Sequence, residues 1–242
     1  MQTREVEYAV DGTVMLGRLV LPEGEDKRPA VLVAHEAGGL DEHELGRARR
    51  LAELGYVVLA IDYYGSRRVY TDPDEMMAQL IDLGTHPNRM RAIGRAALEV
   101  LTAEPRVDST KVAAIGYCFG VVMMLELARD HADLKAVVGF HPGSADHDPA
   151  DSRKITGKVL VCIGSEDPLM PAAERMAFEE EMRVAGVDWQ MNLYGGAKHS
   201  FTNPNADQSG LPEKAYHKDA DARSWRAMIG VFDEVFAPLT AT

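Results

Sequence analysis

The chain has 242 residues, 46% of them hydrophobic and 26% charged, with a formal net charge of −12. That balance suits one large folded α/β domain over 1–242 and speaks against nucleic acid or an anionic membrane as partner. Two cysteines, Cys118 and Cys162, are too few for a secreted disulfide scaffold, the opening MQTREVEYAV lacks an apolar signal core, and no apolar run approaches a membrane span, so a cytoplasmic protein is expected.

Glu5 to Val10 and Thr13 to Leu21 read as two strands around Asp11-Gly12, a dipeptide suited to a tight hairpin. Ala30 to Ala34 is a continuous apolar run and so a buried strand. Glu42 to Leu54 carries Leu45, Ala48 and Ala52 on one helical face, with Gly55 placed to end the helix. Tyr56 to Ile61 is the next buried strand, followed by a loop from Tyr63 to Thr71 that holds Arg67 and Arg68. Asp72-Pro73-Asp74-Glu75 is a helix start, with Asp at the cap and Pro in the first turn. It introduces two helices, near Asp74 to Leu83 and Pro87 to Thr102.

Val112 to Ile115 is a short apolar strand that runs into Gly116-Tyr117-Cys118-Phe119-Gly120 and then an apolar helix, Val121 to Ala128. Further strands are expected at Leu134 to Phe140, Lys158 to Ile163 and Val187 to Tyr194, with helices at Pro171 to Ala185 and Tyr216 to Phe236. A polar loop is expected from His141 to Gly157. Strands alternating with helices behind a hairpin predict a mostly parallel sheet with helices on both faces and an N-terminal antiparallel hairpin.

Strand, tight turn with glycines flanking a nucleophile, then helix is the nucleophile elbow of α/β hydrolases, here with Cys118 in the place of serine. Glycines on both sides make room for the strained turn, and the start of the following helix favours a thiolate. In open α/β sheets, ligands bind beyond the carboxyl ends of the strands. Four such ends deliver His35-Glu36-Ala37-Gly38-Gly39, Cys118, Gly164-Ser165-Glu166-Asp167-Pro168 and Gly195-Gly196-Ala197-Lys198-His199-Ser200-Phe201. The order nucleophile, acid, base matches the α/β-hydrolase order. Acyl transfer assigns attack to Cys118, proton shuttling to His199 and orientation of the imidazole to Asp167. The backbone N–H groups of Phe119 and Ala37 are placed to form the oxyanion hole.

These motifs, His-Glu-x-x-Gly, Gly-Tyr-Cys-x-Gly, Gly-x-x-Asp-Pro and His-Ser-Phe, resemble those of the dienelactone hydrolase family from about Tyr8 to Phe236. The resemblance implies a Cys118, His199, Asp167 triad. It also implies that Glu36 holds the resting thiol and takes its proton when substrate displaces it. Two positions depart from the family pattern. Val121 stands where a second glycine often follows the elbow, and Asn203 stands where founding members carry an arginine for the substrate carboxylate. Arg67 or Arg68 is the candidate replacement, with solvated loop charges as the alternative reading of both, and a general carboxylic ester or lactone is a safer substrate class than dienelactone itself.

The expected protein is thus a cysteine-dependent ester or lactone hydrolase acting through an acyl-enzyme, with no cofactor, no metal and a small-molecule substrate. An acyltransferase or thioesterase with the same triad, and a non-catalytic ligand-binding module, are the alternatives. Nothing in the sequence demands more than a monomer, and a dimer remains open. His141 and His147 with Asp146 and Asp148 match no trusted metal spacing and read as polar loop. His35 reads as structural, and Cys162, Met123 and Met124 read as core.

Overall fold

The computed structural model describes residues 1–143 and 147–236. Its centre is one eight-stranded sheet. The strands are β1 (Gln2–Val10), β2 (Thr13–Leu21), β3 (Arg28–Ala34), β4 (Val57–Ile61), β5 (Val107–Tyr117), β6 (Ala136–Phe140), β7 (Lys158–Gly164) and β8 (Trp189–Tyr194). Their order across the sheet is β1-β2-β4-β3-β5-β6-β7-β8. β1 pairs antiparallel with β2, and β2 antiparallel with β4; every later pairing is parallel. The expected α/β-hydrolase architecture, with its hairpin at one edge, is the architecture observed.

The central strands are apolar throughout because both faces are covered. Along β3, Ala30, Leu32 and Ala34 enter one core, while Val31 and Val33 enter the other. On the first face lie α2 (Pro73–Gly84), α3 (Pro87–Thr102), α4 (Phe119–Arg129) and α5 (Ala172–Ala185). On the second lie α1 (Glu42–Glu53) and α6 (Lys218–Phe236). No helix among the described residues is long and apolar enough to cross a membrane.

Local signals explain the helix ends. Asp41 and Glu44 form a capping box at the start of α1, and Asp72 caps α2 ahead of Pro73. Gly186 ends α5 in the left-handed conformation at φ 73°. Several bounds differ from expectation at strand ends. β5 reaches back to Val107, five residues before the apolar run, because its polar start still pairs with β3 at Arg28. β6 and β8 begin two residues later than their apolar stretches. Part of the expected loop after β6 is a 3-10 helix, Pro149–Lys154, capped by Asp148. Asp146 lies outside the described residues.

The chain reverses its direction of travel across the sheet at the centre, with β4 on one side of β3 and β5 on the other. Such a switch point opens a crevice at the carboxyl ends of the strands. The ends of β3, β5, β7 and β8 all face that crevice side.

Candidate active site

The elbow is built by steric exclusion. Cys118 has φ 52° and ψ −119°, outside the regions a side chain prefers, and it is the residue preceding α4. A Cβ on Gly116 would lie 2.3 Å from the Gly120 carbonyl, and one on Gly120 would lie 2.5 Å from Ala34 O. Strand, turn and helix therefore pass one another at backbone contact, which only glycine permits. The Val121 departure has its compensation in the neighbouring strand. Position 139 in β6 is glycine, and a Cβ there would sit 2.5 Å from Val121 Cγ1.

The turn leaves Cys118 nearly buried at the N-terminal end of α4. The first N–H groups of a helix have no carbonyl partner within it, and Phe119 supplies the first of them here. Gly143 N donates to Cys118 O at 3.0 Å, tying the loop after β6 to the elbow.

His199 and Asp167 approach from β8 and β7. Both are buried, and the His199 Nδ1 to Asp167 Oδ2 distance is 2.8 Å. The other Asp167 oxygen accepts from Leu169 N at 2.9 Å. His199 is held at both ends of its backbone by Glu213 and Ala215. Its Nε2 lies beside the Cys118 sulfur without a well-formed hydrogen bond. Burial alone would lower the imidazole pKa. Proximity of Cys118 and the bond to Asp167 outweigh it and raise the value to about 10. A thiolate at Cys118 thus favours the imidazolium form of the ring.

Glu36 sits at the end of β3. Its Oε2 accepts from Asn203 Nδ2 at 2.8 Å, and its Oε1 faces His141 Nδ1 at 3.7 Å. Burial favours the protonated acid, but His141, His43 and Asn203 outweigh it and hold the carboxyl below its usual range. Asn203 thus takes a job here that an arginine at the same place could not do without adding charge. Ala37 follows Glu36; the carbonyl of the peptide they share, Glu36 O, accepts from Tyr63 Oη at 3.3 Å, and the next carbonyl, Ala37 O, accepts from Tyr64 Oη at 2.7 Å.

Arg67 and Arg68 lie on the loop after β4. Arg67 reaches Glu5 at 3.2 Å, and Arg68 reaches Glu75 at 3.0 Å while lying over the Tyr70 ring. Both are surface side chains that meet carboxylates of the chain itself.

Three features escape a reading of the sequence. His141 is fully buried rather than part of a polar loop; its ring meets His199 edge-on at 5.3 Å, and its Nε2 bonds Thr202 Oγ1 at 2.8 Å. Tyr63 donates to His35 O at 2.7 Å, so the loop after β4 braces the loop after β3. Asp62, fully buried, organises that brace through backbone N–H groups. All three stand at or just beyond strand ends, the position that singled out the triad. His35 is buried and stacked on Tyr63 at 3.6 Å, a structural role as expected. Cys162, Met123 and Met124 are core residues.

Glu36, His43 and Glu44 bring possible metal-binding atoms within 4.8 Å of one another. Glu44 accepts from Glu36 N at 3.0 Å and His43 Nε2 lies 3.3 Å from Thr202 Oγ1, while Glu36 Oε1 has no hydrogen-bond partner.

The profile of the dienelactone hydrolase family matches residues 15–236. Among solved structures, a dienelactone hydrolase-like promiscuous phosphotriesterase, P91, from metagenomic libraries is 42% identical with a TM-score of 0.94, and the match covers 98% of this chain and 99% of that one. A dienelactone hydrolase from Anabaena variabilis shares the fold at 22% identity and a TM-score of 0.66, over 94% of this chain and 97% of its own. Hydrolase tropI of Talaromyces stipitatus is 29% identical over 64% of this chain and 62% of its own length.

Proposed function

The chain belongs to the dienelactone hydrolase family, and on that premise we propose that it is a cysteine-dependent hydrolase of carboxylic esters or lactones that works through an acyl-enzyme. The observation that carries this reading is the buried Asp167–His199 pair at 2.8 Å, with the free nitrogen of the imidazole beside an elbow cysteine.

Glu36 takes the proton of the Cys118 thiol, and the thiolate attacks the substrate carbonyl. The Phe119 and Ala37 N–H groups receive the developing oxyanion. His199, already an imidazolium, protonates the departing alkoxide. As neutral imidazole it then takes a proton from water, and the hydroxide splits the thioester. Asp167 holds the ring in register throughout. Beside the elbow lies a cavity of about 120 Å³ walled by Val122, Leu125, Val161, Met170 and Phe178. Arg129, His147, Glu174 and Glu181 also line it, and none of Cys118, His199 and Asp167 does.

The test is hydrolysis of p-nitrophenyl acetate by the wild type and by Cys118→Ala under reducing conditions. Cys118→Ala is expected to lose at least about 100-fold in rate, the scale on which nucleophile removal acts. Wild-type rates in the folded variant would rule out Cys118 as the nucleophile.

A second reading rests on the phosphotriesterase activity in the name of the 42% identical neighbour. The same thiolate attacks phosphorus and expels an aryloxide. Paraoxon assayed beside the acetate ester separates the two readings.

A further inference from the structure

Four side chains behind the triad form a line from Glu36 to the surface. Glu36 Oε1 and His141 Nδ1 are buried, face each other at 3.7 Å, just beyond hydrogen-bond distance, and neither has a hydrogen-bond partner. The opposite ring nitrogen, His141 Nε2, is 2.8 Å from Thr202 Oγ1. That hydroxyl is 3.3 Å from His43 Nε2. His43 is 9% exposed and lines an open hollow with Glu42, Arg47 and Asn203. The line draws on four separate elements, the ends of β3, β6 and β8 and the first turn of α1.

We propose that Glu36, His141, Thr202 and His43 form a proton relay that connects the active-site carboxylate with solvent. The inference rests on the reading that Glu36 takes the Cys118 proton.

Every member can pass a proton as it receives one. With His141 protonated on Nε2, its bare Nδ1 faces Glu36. A proton on Glu36 Oε1 moves to His141 Nδ1, and the Nε2 proton moves to Thr202 Oγ1. The original hydroxyl proton moves to His43 Nε2, and His43 releases its Nδ1 proton to water. One proton leaves the site, Glu36 returns to carboxylate, His141, Thr202 and His43 keep their charge, and ring and hydroxyl reorientation resets the line. Export of the Glu36 proton leaves Cys118 a thiolate at the end of the turnover; the product carboxylic acid reprotonates it and departs as carboxylate, so one proton per turnover goes out along this line.

The charged surroundings favour transit over storage. Glu36 is faced by His141, His43, Glu44 and Asn203, and is held as carboxylate. His141 is faced by Glu36, His199 and His43, and burial lowers its pKa well below the ordinary value. Burial likewise lowers His43 to about 4, with Glu36 and Asp41 opposing that shift and Arg47 adding to it. Burial thus favours the neutral form of both rings, the form in which an imidazole accepts on one nitrogen and donates from the other.

The test uses Thr202→Val, which removes the hydroxyl at nearly constant volume, with Thr202→Ser as the conservative rescue. Stopped-flow bursts with p-nitrophenyl acetate and alkylation of Cys118 by iodoacetamide are read in H2O and D2O, beside Cys118→Ala. Thr202→Val is expected to slow the burst and the alkylation on the order of 10-fold, with KM unchanged and a larger solvent isotope effect, the scale of a lost proton-transfer group. Thr202→Ser is expected to restore both. Wild-type rates and isotope effects in Thr202→Val, while Cys118→Ala is inactive, would overturn the relay and leave the nucleophile assignment standing. A fully active Cys118→Ala would overturn both. A slowed Thr202→Val that Thr202→Ser does not rescue would assign Thr202 to packing and overturn the relay.

Discussion

At His199 two neighbours outweigh the desolvation of a buried ring and favour its charged form. Cys118 and Asp167 together raise its pKa from 6.5 to about 10. The sign of the linkage follows. A raised folded-state value contributes stability that is complete below about pH 6.5 and is lost as pH climbs toward about 10. The urea midpoint of the wild type is therefore expected to fall relative to that of His199→Gln between those limits. Parallel midpoints across the range would show that the ring is not an imidazolium in the folded protein. The same electrostatics predicts that Cys118→Ala lowers the His199 pKa, since the first of the raising influences is removed. An NMR titration of the imidazole in the two proteins reads that shift directly.

Among the elements, the β5 to α4 elbow and the neighbouring β6 are one packing unit. Val121 occupies the space that Gly139 leaves empty. Gly139→Ala would place a methyl group 2.5 Å from Val121 Cγ1 and is expected to destabilise by about 1–3 kcal/mol, the usual cost of overpacking. Val121→Gly in the same chain removes the obstacle, so the double variant should be more stable than the sum of the single changes. A double-mutant cycle by chemical denaturation measures this coupling; additive effects would separate the two positions. The elbow strand and helix, the hairpin and the closing helix were legible in the sequence because apolar periodicity and turn residues are local. The 3-10 helix after β6 was not, because its partners are distant: Ser152 bonds Arg129 of α4 and pairs with Glu181 of α5.

Over the whole molecule, one buried carboxylate ties the edge hairpin to the catalytic crevice. Asp62 Oδ2 accepts from Leu16 N at 3.0 Å and Arg67 N at 2.7 Å, and Oδ1 accepts from Tyr64 N at 2.9 Å and Gly65 N at 3.0 Å. Tyr8 of β1 closes the arrangement by donating to Asp62 O at 2.6 Å. The loop so fixed carries Tyr63 and Tyr64, whose hydroxyls hold the carbonyls of His35 and Ala37. Asp62→Asn cannot be accommodated by flipping the amide, because each oxygen serves two N–H donors. The variant is expected to lose about 2–4 kcal/mol of stability and most of its esterase activity, measured by urea unfolding and p-nitrophenyl acetate turnover. An active variant of wild-type stability would sever the hairpin from the site.

The sequence by itself determined the sheet type, the edge hairpin, the family resemblance and the candidates Cys118, His199, Asp167 and Glu36. Strand ends, glycine spacing and chain order are written locally, and each of these residues follows a recognisable apolar run. Only the tertiary structure decided what the polar residues between those runs do. Asn203 and Glu36 are 167 residues apart in the chain and 2.8 Å apart in space. His141, Thr202 and His43 come from three elements that only the closed sheet brings together. Arg67 and Arg68 were turned toward Glu5 and Glu75 by loop geometry that no periodicity encodes. Apolar burial repeats along the chain and can be read from it, whereas a hydrogen-bond partner is fixed by distances across the fold.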